Sequence, residues 1–328
     1  VHKQVQNIID RTNRPKKEVL NILTFNTHER YQSQLAKTGH NFYAFMHDGA
    51  KEWFPGHGNR PDNYYVLPKN TVPTIDFDLI LSQSKFGQYQ IATQINNVLK
   101  LPIVSLEHTL PIPNWPIAQL DAMRKMVGDV NVFISDYSAK QWNINAPYVV
   151  IKHSIDSEKY KPDPEIIRLP QVLSVVHDFI NRDYCCNYSG WKRVTQGLKT
   201  KVVGDTPGLS RQSASEEELV KEYQRSQIFL NTSTISPIPT ALLEAMSCGC
   251  AVVTTATCMI PEIIENGKNG FLSNDESELR SYIELLLIDS DLREELGKNA
   301  RQTILDKFSE SAFVQNWNQV FEHAYGVL

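Results

Sequence analysis

"SPIPTALLEAMSCGCAVV", running from Ser236 to Val253, reads as four consecutive pieces: a proline-bracketed loop, a short apolar helix, a glycine stop and a buried strand. Pro239 suits the first turn of a helix, where its missing N–H would be unpaired in any case. Gly249 follows the helix, and Cys250 to Val253 is short and apolar, as a strand covered on both faces is. A helix feeding directly into such a strand belongs to a parallel α/β sheet. Glu244 sits inside that helix among Leu242, Leu243, Ala245 and Met246. A carboxylate in that company needs partners, which argues against a merely solvated helix glutamate.

Working outward, the same strand, loop and helix alternation fills the chain. "VLNILTF" (Val19 to Phe25), "NFYAFM", "FDLILSQ", "LPIVSLEH" and "VNVFIS" read as strands, and helix-length segments separate them, among them Gln88 to Leu99 and "IAQLDAMRKMV". A proline-rich, charged stretch near residues 155 to 168 marks a domain boundary, after which the series restarts with "QVLSVVHD", a helix near Trp191 to Leu198, "TKVVGD", the acidic helix "SEEELVKEYQRS" and "QIFLNTS". The expected fold is α/β: two tandem doubly wound, Rossmann-like domains facing a cleft, with ligands at the carboxyl ends of the strands. The domains are set at 1–156 and 157–310. A last amphipathic helix, 311–328, presents Phe313, Trp317, Val320, Phe321 and Tyr325 at helical spacing.

Composition agrees with a two-domain globular protein. With 33 basic and 37 acidic residues the net charge is −4, so the chain carries no global electrostatic footprint for nucleic acid or an anionic membrane. Its five cysteines form no pair of CxxC motifs and read as reduced thiols rather than metal ligands. No apolar run reaches the ~18 residues of a membrane span. The opening "VHKQVQNIID" has no apolar signal core. The expectation is a cytoplasmic protein, or one peripheral to a membrane.

The chemistry gathers around the opening stretch. The loop Ser236, Pro237, Ile238, Pro239 follows a strand, and beyond it the amides of Thr240, Ala241 and Leu242 should be free at the positive end of the helix dipole. That is an anion site, and a diphosphate fits it. Glu244, one turn further in, can accept from paired hydroxyls such as those of a ribose.

The run "IPTALLEAMSCGCAVVTTATCMIPEIIENGKNGFL" resembles the signature region of glycosyltransferase family 4, group 1 enzymes of the GT-B architecture that use nucleotide sugars. Weaker likenesses extend over nearly the whole chain: "PYVVIKHSIDSEKYKP" to the family's interdomain segment, with His153 and Ser154 in place of Asn-Gly, and "LREELGKNARQTILDKFS" to its closing helix. The resemblance implies that Glu244 grips the nucleotide's ribose as the second glutamate of the family's E-x7-E motif. The first glutamate of that motif falls on Ser236. It also aligns His177 and Arg182 with an arginine and a lysine that neutralise the diphosphate, with Lys192 and Arg193 as nearby substitutes and Gly204 ending the next strand. In the first half it places His108, after "LPIVSLE", against the donor sugar. Where the family has a Gly-Gly loop, this chain has "FNTHERYQ", which leaves Thr27, His28 and Arg30 as candidate contacts.

The resemblance thus implies a transferase moving a sugar from a nucleotide-diphosphate donor to a glycan, lipid or small-molecule hydroxyl, with retention of configuration and no cofactor or metal. Arg182, His108 and Lys192 are its expected catalytic residues. "DFD" (Asp76 to Asp78) imitates a metal-binding D-x-D but leads straight into a strand, so it reads as a polar strand entry. Two alternatives keep the fold. One glycosylates a modified base in DNA, for which His28, Arg30, His57, Arg60 and Lys69 are scattered candidates. The other binds nucleotide sugars without catalysis, as Ser236 and His177 in place of charged residues suggest.

Overall fold

The structure, a computed structural model, describes residues 17–54 and 58–326, so His57 lies outside the described residues. It divides into two compact units. The first takes the described residues up to His153 together with those from Ser311 onward; Ser154–Glu310 form the second.

The first unit is a sheet of seven parallel strands among the described residues. In chain order its elements are β1 (Asn21–Phe25), α1 (Glu29–Ala36), β2 (Asn41–Phe45), β3 (Tyr64–Val66), β4 (Leu79–Ser82), α2 (Gln88–Leu99), β5 (Ile103–Glu107), α3 (Ile117–Arg124), β6 (Val130–Phe133), α4 (Asp136–Trp142) and β7 (Val149–Val150). Their order in the sheet is β3-β2-β1-β4-β5-β6-β7. β4, β5 and β6 are buried at every position, which is why they read as mainly apolar runs without the alternation of a half-exposed strand. The Asp78 of "DFD" is 1% exposed; it takes Lys17 Nζ at 2.7 Å and the Asn21 amide at 2.9 Å, and so anchors the entries of β4 and β1.

The second unit holds β8 (Leu169–Val175), α5 (Asp183–Cys186), α6 (Tyr188–Val194), β9 (Thr200–Val203), α7 (Glu216–Arg225), β10 (Ser226–Asn231), α8 (Thr240–Ser247), β11 (Ala251–Thr254), α9 (Ile260–Ile263), β12 (Phe271–Leu272), α10 (Glu276–Ile288) and α11 (Ser290–Lys307). All pairings in its sheet are parallel, in the order β12-β11-β10-β8-β9. α12 (Glu310–Gly326) then packs within the first unit. Phe313, Trp317, Val320 and Phe321 are buried there, and Trp317 Nε1 donates to Tyr31 Oη at 3.1 Å. Among the described residues no helix is long and apolar enough to cross a membrane.

Two local readings change. The helix expected near Trp191 to Leu198 is present but earlier, as α6 at Tyr188–Val194, and a separate single turn, α5, precedes it and meets it at Asn187. That residue takes a left-handed conformation (φ +56°), closes the first turn, and caps the second by accepting from Gly190 N at 3.1 Å. Pro239 is the N-cap of α8 rather than part of its first turn, because its ψ of 92° is extended.

Candidate functional site

In the second unit, β8 leads outward to β9 while β10 leads the other way to β11 and β12, so the chain reverses direction between β8 and β10. Crevices at such reversals are where open α/β sheets take ligands. The loop after β10 carries Ser236 to Pro239, all half-buried, and ends in α8. The first intrahelical bonds come from Leu242 and Leu243, both to Pro239 O at 2.9 and 3.4 Å. Leu242 N is therefore not the free donor that the sequence reading makes it. The amides of Thr240 and Ala241 precede the ladder and carry the positive end of the helix dipole.

The far end of α8 is held by two arginines. Arg168 donates to Cys248 O and, at 2.8 Å, to Ser226 O; Arg301 reaches Ser247 O at 2.6 Å and Tyr160 O at 3.2 Å. Cationic donors on the last carbonyls satisfy groups that the helix cannot. Gly249 ends the helix at φ +72°, and Gly297 of α11 packs so closely that a Cβ there would lie 2.4 Å from Gly249 O.

Glu244 is 2% exposed, and its Oε2 accepts from Tyr223 Oη at 2.7 Å. Tyr223, on α7, is fully buried. This answers how an apolar helix tolerates a carboxylate: the Tyr223 phenol donates to it and fixes its orientation. Nothing in the sequence pattern singles out Tyr223 as the partner.

The loop after β8 carries His177 and Arg182, both exposed. Asp178 adopts a left-handed conformation (φ +50°) and Arg182 N donates to its carbonyl at 3.0 Å, closing the turn that starts α5. Arg182 Nη1 reaches back to His177 O at 3.4 Å. His177 Nδ1 accepts from Asp205 N at 3.1 Å, and Asp178 N donates to Asp205 O at 2.7 Å, which ties this loop to the end of β9. Gly204 makes the tie close: at φ +133°, a Cβ would lie 2.0 Å from Val176 O. On the other side, Cys185 O accepts from Thr234 N at 2.8 Å and Cys186 O from Thr232 Oγ1 at 3.0 Å. The Arg182 turn is thus stitched to the loop leading into α8.

The remaining cations divide. Arg193 makes a two-pronged pair with Glu276, both bonds at 2.7 Å, while the Lys192 ammonium lies 5.9 Å from the centre of the Tyr188 ring. Arg193 is engaged on the α6 and α10 surface; Lys192 is exposed.

In the first unit the reversal falls between β1 and β4. His108 follows β5, next to it. The ring is 5% exposed and stands edge-on to Tyr31 (4.5 Å between centroids), His28 (5.2 Å) and His153 (6.0 Å). Burial holds its pKa well below 6.5, and burial likewise pushes His153 down to about 3, so neither ring is charged near neutral pH. Glu107 is bound in place by Lys85 N at 2.7 Å and by Thr109 N and Oγ1 at 2.9 and 2.6 Å. Thr27 Oγ1 accepts from Gln88 Nε2 at 2.8 Å. Sequence reasoning missed Gln83, whose side chain bridges Thr24, Phe25 and His108. A neutral amide gives no pattern to find.

Residues 211–303 match the family model "Glycosyl transferases group 1", a stretch that includes Ser236 and Glu244 but stops short of His177, Arg182 and Gly204. The chain is 31% identical over 110 residues to spore coat protein SA of Bacillus subtilis, covering 32% of this chain and 29% of that one. It is 40% identical over 78 residues to the putative colanic acid biosynthesis glycosyltransferase WcaL of Salmonella typhimurium, covering 23% and 19%. It is 32% identical over 108 residues to D-inositol 3-phosphate glycosyltransferase of Corynebacterium jeikeium, covering 32% and 26%. The match spans less than a third of each of these relatives. Among solved structures, sucrose-phosphate synthase from Thermosynechococcus elongatus superposes with a TM-score of 0.75 at 12% identity, over 94% of this chain and 100% of that one. Anabaena HepE in complex with UDP gives 0.74 at 15%, over 93% and 99%. These likenesses show the fold: two Rossmann-like domains of the GT-B kind.

Proposed function

From a chain whose residues 211–303 are a glycosyl transferases group 1 region, on a GT-B fold, we propose a glycosyltransferase that takes its sugar from a nucleotide-diphosphate donor. The observation that carries this reading is the placing of the Arg182 turn beside the α8 N-terminus at the chain reversal of the second unit. A cation and backbone amides fixed before the reaction begins suit the charge that develops on a departing diphosphate. Glu244 then accepts from the ribose hydroxyls while the single Tyr223 hydroxyl bond to Oε2 holds its orientation. Lys192 adds charge nearby, and His177 and Gly204 keep the β8 and β9 ends together beneath the diphosphate. No metal is required in this scheme, since side chains and amides supply the positive charge. His108 contacts the donor sugar, and transfer to a hydroxyl of a glycan, lipid or small-molecule acceptor proceeds with retention.

Ser236, Pro237 and Ile238 contact the sugar side of the donor. A hydroxyl at Ser236 can donate one bond and accept through a single oxygen, where a carboxylate only accepts, through two, so donor choice turns on that position. Ser236→Glu is expected to change which nucleotide sugars are used more than it changes nucleotide affinity.

The test is a panel of nucleotide sugars and acceptors followed by release of free nucleotide. HepE was solved with UDP, which supports uridine nucleotides as the first to try. Turnover with at least one donor is the expected result. Binding without turnover across the panel would overturn the enzyme and leave a nucleotide-sugar binder.

A further inference from the structure

At the reversal of the first unit lies a run of hydrogen bonds whose direction can be followed from one end. Thr24 Oγ1 donates to Leu81 O at 3.1 Å, so its one proton is committed and the oxygen can only accept from elsewhere. Gln83 Nε2 donates to that oxygen at 2.9 Å and to Phe25 O at 3.1 Å. Turning the carboxamide over would set its oxygen against a backbone carbonyl and a lone pair, with no proton between them. The amide orientation is therefore determined by its surroundings. Oε1 is the atom left to meet His108 Nε2, at 3.3 Å. A carboxamide oxygen donates nothing, so the proton on this bond belongs to the histidine. Thr24 and Gln83 are both fully buried, and Gln83 N is held in turn by Gln88 Oε1 at 3.2 Å, so water does not compete for these positions.

We infer that Gln83 is a positioning residue: it holds His108 as the Nε2–H tautomer and so makes Nδ1, with its lone pair, the nitrogen that can accept from a ligand. The neutral ring is consistent with its burial. A ring presenting only a lone pair selects a ligand group that donates, which is a hydroxyl, and turns away phosphate and carboxylate oxygens, which only accept. The tautomer stands on the geometry alone; the substrate hydroxyl rests on the transferase reading above.

The two parts are tested separately. In the full chain labelled with nitrogen-15 histidine, with His108→Gln to assign the signals, two-bond proton–nitrogen correlation at pH 7 should show Nε2 protonated and Nδ1 bare. An Nδ1–H ring or an imidazolium would overturn the proposal whatever the activity assays give. In Gln83→Leu the two tautomers should mix, with kcat falling about tenfold and the donor KM within about twofold of wild type, the scale of one lost hydrogen bond. Gln83→Glu keeps an acceptor opposite Nε2 but sets its other oxygen against Phe25 O and Thr24 Oγ1, so its mark is not recovered kcat but an acid limb of the pH profile moved upward, because a carboxylate favours the imidazolium. A Gln83→Leu protein whose His108 stays Nε2–H removes the positioning role. Should Gln83→Leu fail to fold in a thermal melt, the wild-type spectrum decides. If no donor turns over in any assay, the transferase reading fails while the tautomer remains decided by the spectrum.

Discussion

Between β1 and β4 in the first unit, and between β8 and β10 in the second, the chain reverses its direction across the sheet, and the groups gathered at the two places differ in kind. At the first are amides, hydroxyls and neutral rings: Thr24, Thr27, Gln83, Gln88 and His108, bonded to one another and largely buried. At the second are an exposed guanidinium, backbone amides at a helix start and a glycine that lets two loops touch. The same topology therefore gathers neutral polar groups at one reversal and cationic and backbone donors at the other. What distinguishes them is loop chemistry, since the strands beneath are alike in burial and direction.

The second site depends on close contact between loops, and Gly204 is where that dependence is greatest. Gly204→Ala would drive a Cβ to within 2.0 Å of Val176 O from a backbone conformation (φ +133°) that alanine rarely adopts. The strained backbone and the overlap together are expected to cost about 4 kcal/mol, read as a drop in the denaturation free energy. An alanine variant that melts like wild type would mean the loops can separate.

Removing the guanidinium leaves the fold and takes away the charge. Arg182→Ala should lower the rate of nucleotide release about a hundredfold, the scale of one lost donor to a developing anion. Its melting temperature should stay near that of wild type, because Arg182 is exposed and its side chain bonds within its own turn, to His177 O at 3.4 Å and to Cys185. A variant as fast as wild type would move the diphosphate to another cation.

How much of this the sequence discloses follows from what each feature is made of. The buried strands β4, β5, β6 and β10 are legible because strands covered on both faces are mainly apolar and lack a period-2 alternation, polar residues such as Ser82, Glu107 and Asn231 falling at their ends. β3 is not, since three residues inside a turn-rich run carry no periodicity. The α5 and α6 break hides because it hinges on a single left-handed Asn187. In the second unit, the start of α8 and Glu244 are visible as a pattern of neighbours in sequence. Tyr223 and Gln83 are not, because each acts across a long stretch of chain: Tyr223 on Glu244, and Gln83 on Thr24 and His108.

The buried rings around His108 carry a pH signature. His108 and His153 are held below 6.5 by burial, with His28 adding repulsion to both. In the unfolded chain both rings take up a proton near pH 6.5, whereas in the folded chain they stay neutral, so acid favours unfolding. Their contribution is complete above about pH 6.5 and is lost as pH falls toward the folded values, about 3 for His153. Each ring contributes a slope of about 1.4 kcal/mol per pH unit in that window. Urea denaturation from pH 7 to pH 5 should show it, and His153→Gln should flatten it. A stability that does not change over that range would mean that the rings protonate in place.

The smallest effects concern which cations belong to the second site at all. Lys192 and Arg193 are consecutive and both exposed, yet Arg193 is bonded twice to Glu276 and Lys192 faces only the Tyr188 ring. An arginine whose donors already face a carboxylate has little charge to offer a ligand, and exposed pairs of this kind contribute little to stability. Arg193→Ala should therefore leave nucleotide release within about twofold of wild type. Lys192→Ala should slow it about threefold, with the deficit growing as salt is lowered, because an exposed lysine acts on a diphosphate through a screened field. If Arg193→Ala is the slower of the two, the Glu276 pair must open when donor binds, and the boundary of the anion site shifts from the α6 surface toward α10.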